Sequence, residues 1–169
     1  MNYGSAINRS QLVRFNLAAS LVFSVVAIVS AIVFDDVFRV VIVVVSLSLF
    51  AVGVGAFLLG FFAAVQRSRE SQISVSQLFF LTGTVAPRDV KIPMLAALGM
   101  QTVVGIAAAI ARPSTDGKAG SVLAFGVLVP MLGLGLNGLW ASRHGVFDDR
   151  GAPSDGAPDT PSDDASDPE

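Results

Sequence analysis

No cysteine occurs in the chain, which excludes disulfide frameworks, thiolate nucleophiles, cysteine-ligated zinc and thiol–disulfide redox chemistry. Histidine is reduced to one residue, His144, too few for an imidazole metal site, and the HExxH, GxSxG and GxxxxGK(S/T) patterns are missing. Charge is scarce as well: Asp, Glu, Lys and Arg make up 14% of 169 residues, against about 25% in an average soluble chain. So little charge cannot solvate a complete surface, and the 53% of hydrophobic residues call for another solvent.

The charge that exists is unevenly placed. Residues 148–169 hold eight acidic residues and one Arg, a net of −7, while residues 1–147 hold ten basic and five acidic, a net of +5. Between these charges lie long runs without any. Phe15 to Phe34 is twenty residues with no charge, and at about 1.5 Å per residue it reaches roughly 30 Å, the thickness of a hydrocarbon core. A cleavable signal peptide, with Val29-Ser30-Ala31 as its processing site, is the competing reading; its apolar region is usually only about 7–15 residues, so a retained anchor is expected. Val40 to Val65 is a second run, longer than one crossing needs, so that it tilts or emerges at one end. Ile92 to Ala111 and Ser121 to Ala141 complete the set.

The expected fold class is therefore all-α, a polytopic membrane protein with four transmembrane helices and a disordered acidic C-terminal tail. Its divisions are an N-terminal segment 1–14, a four-helix domain 15–147 with spans about 15–34, 40–65, 92–111 and 121–141 and a loop 66–91, and a tail 148–169 with no large apolar side chain to offset its ordering entropy. Orientation follows from Lys and Arg in short loops. Arg9, Arg14, Arg67, Arg69, Arg88, Lys91, Arg143 and Arg150 fall on one side, and Arg39, Arg112 and Lys118 on the other. Both termini and the central loop are expected to be cytoplasmic, in the plasma (inner) membrane.

An ionisable residue at mid-depth in a bilayer marks a functional site, and these four runs contain none. That weighs against proton-coupled pumps and against intramembrane hydrolases, which need a group to activate a nucleophile. The buried polar residues are read as amides, Gln101 and Asn137, acting chiefly as interhelical hydrogen-bonding groups. Glycine concentrates in the second run (Gly53, Gly55, Gly60) and the fourth (Gly126, Gly133, Gly135, Gly138), and Ser20, Ser24, Ala27 and Ala31 form a small-residue seam on the first. Close helix packing is the favoured reading; the alternative is a substrate site where Val52-Gly53-Val54-Gly55 matches Leu132-Gly133-Leu134-Gly135. Val43 is read as lipid-facing, Trp140 as an interfacial anchor, Arg39 as balancing Asp35 four residues earlier, and Gly145 as a left-handed helix terminator after His144.

The loop 66–91 is long and carries Leu78, Phe79, Phe80 and Leu81, a run too short to cross a bilayer and too apolar to stand in water. Arg67, Arg69, Arg88 and Lys91 bracket it, which predicts a membrane-surface element or a docking platform.

Leu78-Phe79-Phe80-Leu81-Thr82-Gly83 with Ala86-Pro87, and Leu123-Ala124-Phe125-Gly126-Val127-Leu128-Val129-Pro130-Met131 running through Gly133-Leu134-Gly135-Leu136-Asn137-Gly138-Leu139-Trp140 to Arg143-His144-Gly145, resemble a family of small actinobacterial integral membrane proteins of unknown function. The resemblance covers roughly the second span to residue 147. It implies architecture and inner-membrane location, and transfers no catalytic role. The expected role is a non-enzymatic scaffold or accessory subunit of a membrane complex, or alternatively a small transporter or channel-like carrier with a site near Gln101 and Asn137. No cofactor, catalytic residue or metal site is expected. The expected partners are the lipid bilayer, anionic lipid headgroups, and further copies of the chain or other membrane proteins, without nucleic acid.

Overall fold

The computed structural model describes residues 3–69 and 71–149. The elements run α1 (Tyr3–Val33), α2 (Asp36–Arg67), β1 (Ser71–Gln72), α3 (Val75–Phe80), α4 (Arg88–Ala111), β2 (Ser114–Thr115), β3 (Lys118–Ala119), a 3-10 segment (Val122–Leu128), α5 (Pro130–His144) and β4 (Asp148–Asp149). Among the described residues four helices are long and apolar enough to cross a membrane: Ser10–Val33, Asp36–Arg67, Arg88–Ala111 and Val122–His144. The chain is an all-α, multi-pass membrane protein. Its outward faces agree: Leu21, Val25, Ile28 and Ile32 on α1, Val40, Val44, Leu59 and Phe62 on α2, and Val103 and Ile110 on α4 are all exposed, which water would not tolerate over so large a patch.

The α1–α2 turn is tighter than the charge pattern suggests. Phe34 takes a positive φ of 46°, and Asp35 caps α2 by accepting the Phe38 N–H at 2.9 Å. The Asp35 carboxylate is thus committed to a helix terminus, and the expected pairing with Arg39 is replaced: Arg39 bonds Asp36 at 3.2 Å and Asp116 at 2.9 Å. The second contact joins this turn to the β2–β3 turn between α4 and the fourth span. Both turns therefore share one end of the bundle, and the segment between α2 and α4 lies at the other. At 32 residues α2 is about 48 Å long and overruns a hydrocarbon core.

The fourth span is not one continuous α-helix. Pro130 has no N–H and its ring would collide with the carbonyl four residues back, so the chain enters as a 3-10 segment, with Val129 N–H on the Gly126 carbonyl at 3.1 Å, and turns α-helical at Pro130. From there α5 is the most enclosed helix, buried at every residue from Gly135 to Ser142. The other spans surround it, α2 being its principal partner. Trp140 is 0% exposed. The interfacial-anchor reading is corrected: the residue belongs to the buried cluster that also holds Leu136, Leu139, Val85 and Phe147. Val43 is also corrected, being partly buried against the second core cluster, around Phe23, Ile42 and Leu123, while the neighbouring Val44 faces outward.

Helix α5 ends at Gly145 in an extended conformation, φ −67° and ψ 148°, not the left-handed one. Close packing explains the glycine, since a Cβ there would meet the Ala141 carbonyl oxygen at 2.5 Å. Beyond it Val146 N–H reaches the Val85 carbonyl at 3.1 Å, and Asp148–Asp149 pair antiparallel with Ser71–Gln72. The first two residues of the expected tail are thus a strand, and the remainder of that expectation, from 150 on, lies outside the described residues.

Candidate functional site

The polar interior is built on α1, α4 and the start of α5. Asn16, Ser20 and Ser24 recur every four residues, which stacks them on one helix face. Two of these back-bond within α1: Ser20 Oγ donates to the Asn16 carbonyl at 2.7 Å, and Ser24 Oγ to the Ser20 carbonyl at 2.8 Å. Gln101 on α4 meets this face. Its Nε2 donates to Asn16 Oδ1 at 3.1 Å and to Ser20 Oγ at 2.7 Å, and its Oε1 accepts the Gly133 backbone N–H at 3.1 Å. The last bond follows from the break in the fourth span. Leu132 N–H takes the Val129 carbonyl at 2.8 Å, a 3-10 step, and the Gly133 N–H turns to the side-chain amide. Asn16, Ser20 and Gln101 are each 0% exposed. One amide thus joins three spans, and at about 0.6 kcal/mol for each interhelical bond the three contribute roughly 2 kcal/mol.

Amides and hydroxyls do not titrate in the neutral range, so this network holds and orients without moving a proton. Of the side-chain amide atoms, Asn16 Nδ2 and Asn137 Oδ1 are buried with no partner among the described residues. Asn137 stands apart from Gln101 in its bonding: its Nδ2 donates to the Phe79 carbonyl at 2.9 Å, which ties α5 to α3. The structure therefore does not join Gln101 and Asn137 in one bonded network.

The glycines sort by what stands opposite them. A Cβ on Gly53 would lie 2.5 Å from the Leu132 nitrogen, and one on Gly60 would lie 2.7 Å from the Gly138 carbonyl carbon. A Cβ on Gly135 would collide with the Gly53 carbonyl oxygen, and one on Gly138 would lie 2.6 Å from the Phe79 ring. Gly53, Gly60 and Gly135 form the α2–α5 seam, along which Ala56 and Ala64 are also buried, and Gly138 lends it backbone opposite Gly60 while its open face receives Phe79 of α3. Gly133 accommodates Gln101 Oε1, 2.9 Å from an ideal Cβ. Gly55 is different: a Cβ there meets nothing within 4 Å and the residue is exposed, so it has no part in the seam. Gly105, which the sequence pattern does not single out, belongs to a second crossing, with the Gly126 carbonyl oxygen 2.6 Å from its ideal Cβ. Asn16 escapes a sequence reading too, because it sits beside Arg14 at the edge of an apolar run; its signal is the four-residue spacing to Ser20 and Ser24.

The 66–91 segment folds back on the bundle. Ser74 caps α3 in a capping box with Gln77, and Leu81 ends the helix at a left-handed φ of 51° while wholly buried. Leu78 is 3% and Phe79 6% exposed, and Phe79 stacks on Phe57 with centroids 4.5 Å apart. As a correction to the four-residue surface run, only Phe80 faces outward, at 50%, with Val75 at 71% on the same short helix. The cations divide likewise. Arg67 is committed to the bundle, donating to the Ser142 carbonyl at 3.4 Å with its guanidinium 5.1 Å from the Phe147 ring centroid. Arg69 and Arg88 are exposed, and Arg88 and Lys91 line a hollow of about 530 Å³ with Gly83, Ala86, Ile92 and Leu95.

Comparison of the chain with protein-family models, with curated proteins and with solved structures finds no match.

Proposed function

We propose that this chain is a non-enzymatic component of the plasma membrane, a scaffold or accessory subunit of a membrane complex, with both termini cytoplasmic. The observation that supports this reading best is the commitment of its interior amides: Gln101 spends both N–H donors and its carbonyl on other spans. A bundle locked in this way suits a fixed platform. Its partner-facing element is then the end that carries Val75 and Phe80, rimmed by Arg69, Arg88 and Lys91, which would also meet anionic headgroups of the inner leaflet at about 1 kcal/mol per cation near the surface. Membership of the small actinobacterial membrane-protein family belongs to the same proposal.

The break in the fourth span favours a second reading, a small carrier, since interrupted helices line substrate sites in transporters. Gln101 Oε1 occupies the N-terminus of α5, where a substrate carboxylate would go. The test is purification of the tagged full chain in mild detergent, with the same protein reconstituted in vesicles. A scaffold comes with other membrane proteins in fixed ratio and leaves vesicle contents unchanged. Isolation alone, together with solute uptake abolished by Gln101→Leu, would replace the scaffold with the carrier. Reporter fusions at residues 36 and 117 should read periplasmic and one after residue 149 cytoplasmic; the reverse pattern overturns the orientation.

A further inference from the structure

One hollow opens between α1 and α4 within the membrane-spanning depth. It has a volume of about 320 Å³ and is lined by Ala27, Ile28, Ala31 and Ile32 on one side and by Val103, Val104, Ala107, Ala108 and Ala111 on the other. The alanines make it: Ala27 and Ala108 form a buried floor, and Ala107 and Ala111 are exposed along its edge. From Val103 to Ala111 the lining runs about 12 Å along α4, and the free space between the walls, about 640 Å³, gives a mean cross-section on the order of 50 Å² at most. A helix with its side chains is about 10–12 Å across, on the order of 80–110 Å². The hollow is thus too narrow to enclose another helix and wide enough for a hydrocarbon chain.

Its mouth carries a cation. Arg112 follows directly on Ala111, and its Nε donates to the Ala31 carbonyl at 3.1 Å, which fixes the guanidinium across the top of the groove. The ring of Phe34 supports it, with the centroid 5.0 Å from Arg112 Cζ. On the same ring Arg39 lies at 4.4 Å, but the Arg39 charge is met by Asp36 and Asp116. Among the described residues no carboxylate meets Arg112. An apolar slot too narrow for a helix, inside the bilayer, ends at an exposed guanidinium whose outer nitrogens suit a phosphate.

We propose that the α1–α4 groove is a lipid site, holding one acyl chain of an anionic glycerophospholipid with its phosphate on Arg112. The proposal is independent of the scaffold reading and holds whichever end of the bundle faces the cytoplasm.

The test uses the full chain reconstituted in phosphatidylcholine vesicles with a minor fraction of phosphatidylglycerol. It is then re-extracted in mild detergent, and the lipids it retains are counted by native mass spectrometry. The wild type should retain phosphatidylglycerol in preference to phosphatidylcholine. Arg112→Gln should cut that preference about fivefold, the worth of one cation beside an anionic headgroup, and Arg112→Lys should keep most of it. Ala107→Leu with Ala111→Leu, both at exposed positions, should fill the groove and lower retention with Arg112 intact; this arm decides the matter if the Arg112→Gln chain fails to insert. Equal retention of the two lipids by the wild type, or undiminished retention by the groove-filled variant, overturns the proposal. So does a groove-filled variant that loses a second copy of the chain and keeps its lipid.

Discussion

Replacing Gly53 with alanine adds one methyl group where α2 crosses α5, and its cost can be worked from the crossing itself. An ideal Cβ at Gly53 lies 2.5 Å from the Leu132 nitrogen and 2.6 Å from the Met131 carbonyl carbon. Both are backbone atoms, so no rotamer change relieves the collision. Ordinary contact requires the helices to part by about 1 Å, and a gap of about 0.5–1 Å forfeits a quarter to a half of each dispersion well along the seam. Overpacking of this kind costs about 1–3 kcal/mol. Gly55 supplies an internal control two residues away: a Cβ there meets nothing, so Gly55→Ala should stabilise the helix by about 0.5–1 kcal/mol through backbone entropy. The two variants should therefore differ by about 1.5–4 kcal/mol. Titration from mild detergent into sodium dodecyl sulfate can follow this through Trp140, the single Trp of the chain and wholly buried. Coincident midpoints for the two variants would refute the close-packing assignment of Gly53.

Gln101→Leu keeps the volume and removes three bonds to other spans; a loss of about 2 kcal/mol is expected in the same titration, and an unchanged midpoint would show that the amide does not hold the spans together. Phe79→Ser should cost about 3–5 kcal/mol, as for a fully buried aromatic cut to a small side chain, whereas Phe80→Ser should stay within about 0.5 kcal/mol. Equal destabilisation by the two would contradict their opposite facing. A double-mutant cycle of Arg39→Gln with Asp116→Asn should give a coupling below about 1 kcal/mol that shrinks with added salt, because Asp116 is well exposed; a large, salt-insensitive coupling would mean that the contact is shielded from solvent.

The spans are legible in the sequence because one-dimensional information decides them: a charge-free run of sufficient length has few other places to go. Which residue of a span faces which neighbour is not one-dimensional. Gly53 and Gly55 look alike in sequence, and only the rotation of α2 against α5 puts one on a backbone and the other outside. Trp140 reads as an anchor from the habit of aromatic residues at membrane interfaces, but α5 is enclosed at that depth and the ring is consumed by packing. The apolar run of the fourth span passes through Pro130 as if it were one helix; the proline signals the break, and the amide that uses it lies 32 residues away in sequence. The run around Phe79 is legible as too apolar for water, and its actual cover, Phe57 and Gly138, depends on a fold-back that no local pattern encodes.

The enclosure of α5 bears on how the protein is made. Ribosomes deliver α1 through α4 first, and until α5 arrives, α2, α3 and α4 present surfaces that it covers: the backbone at Gly53 and Gly60, the Phe79 ring, the Gln101 carbonyl. The keystone helix follows the other three spans, and its leucines are interrupted by Gly133, Gly135, Asn137 and Gly138. The translocation machinery thus receives a weaker hydrophobic signal from it than α2 gave, at a point when the rest of the bundle is already waiting. Assembly of the bundle thereby waits on α5, and a product halted before Pro130 leaves in the bilayer three spans with the Gln101 carbonyl deprived of the Gly133 N–H.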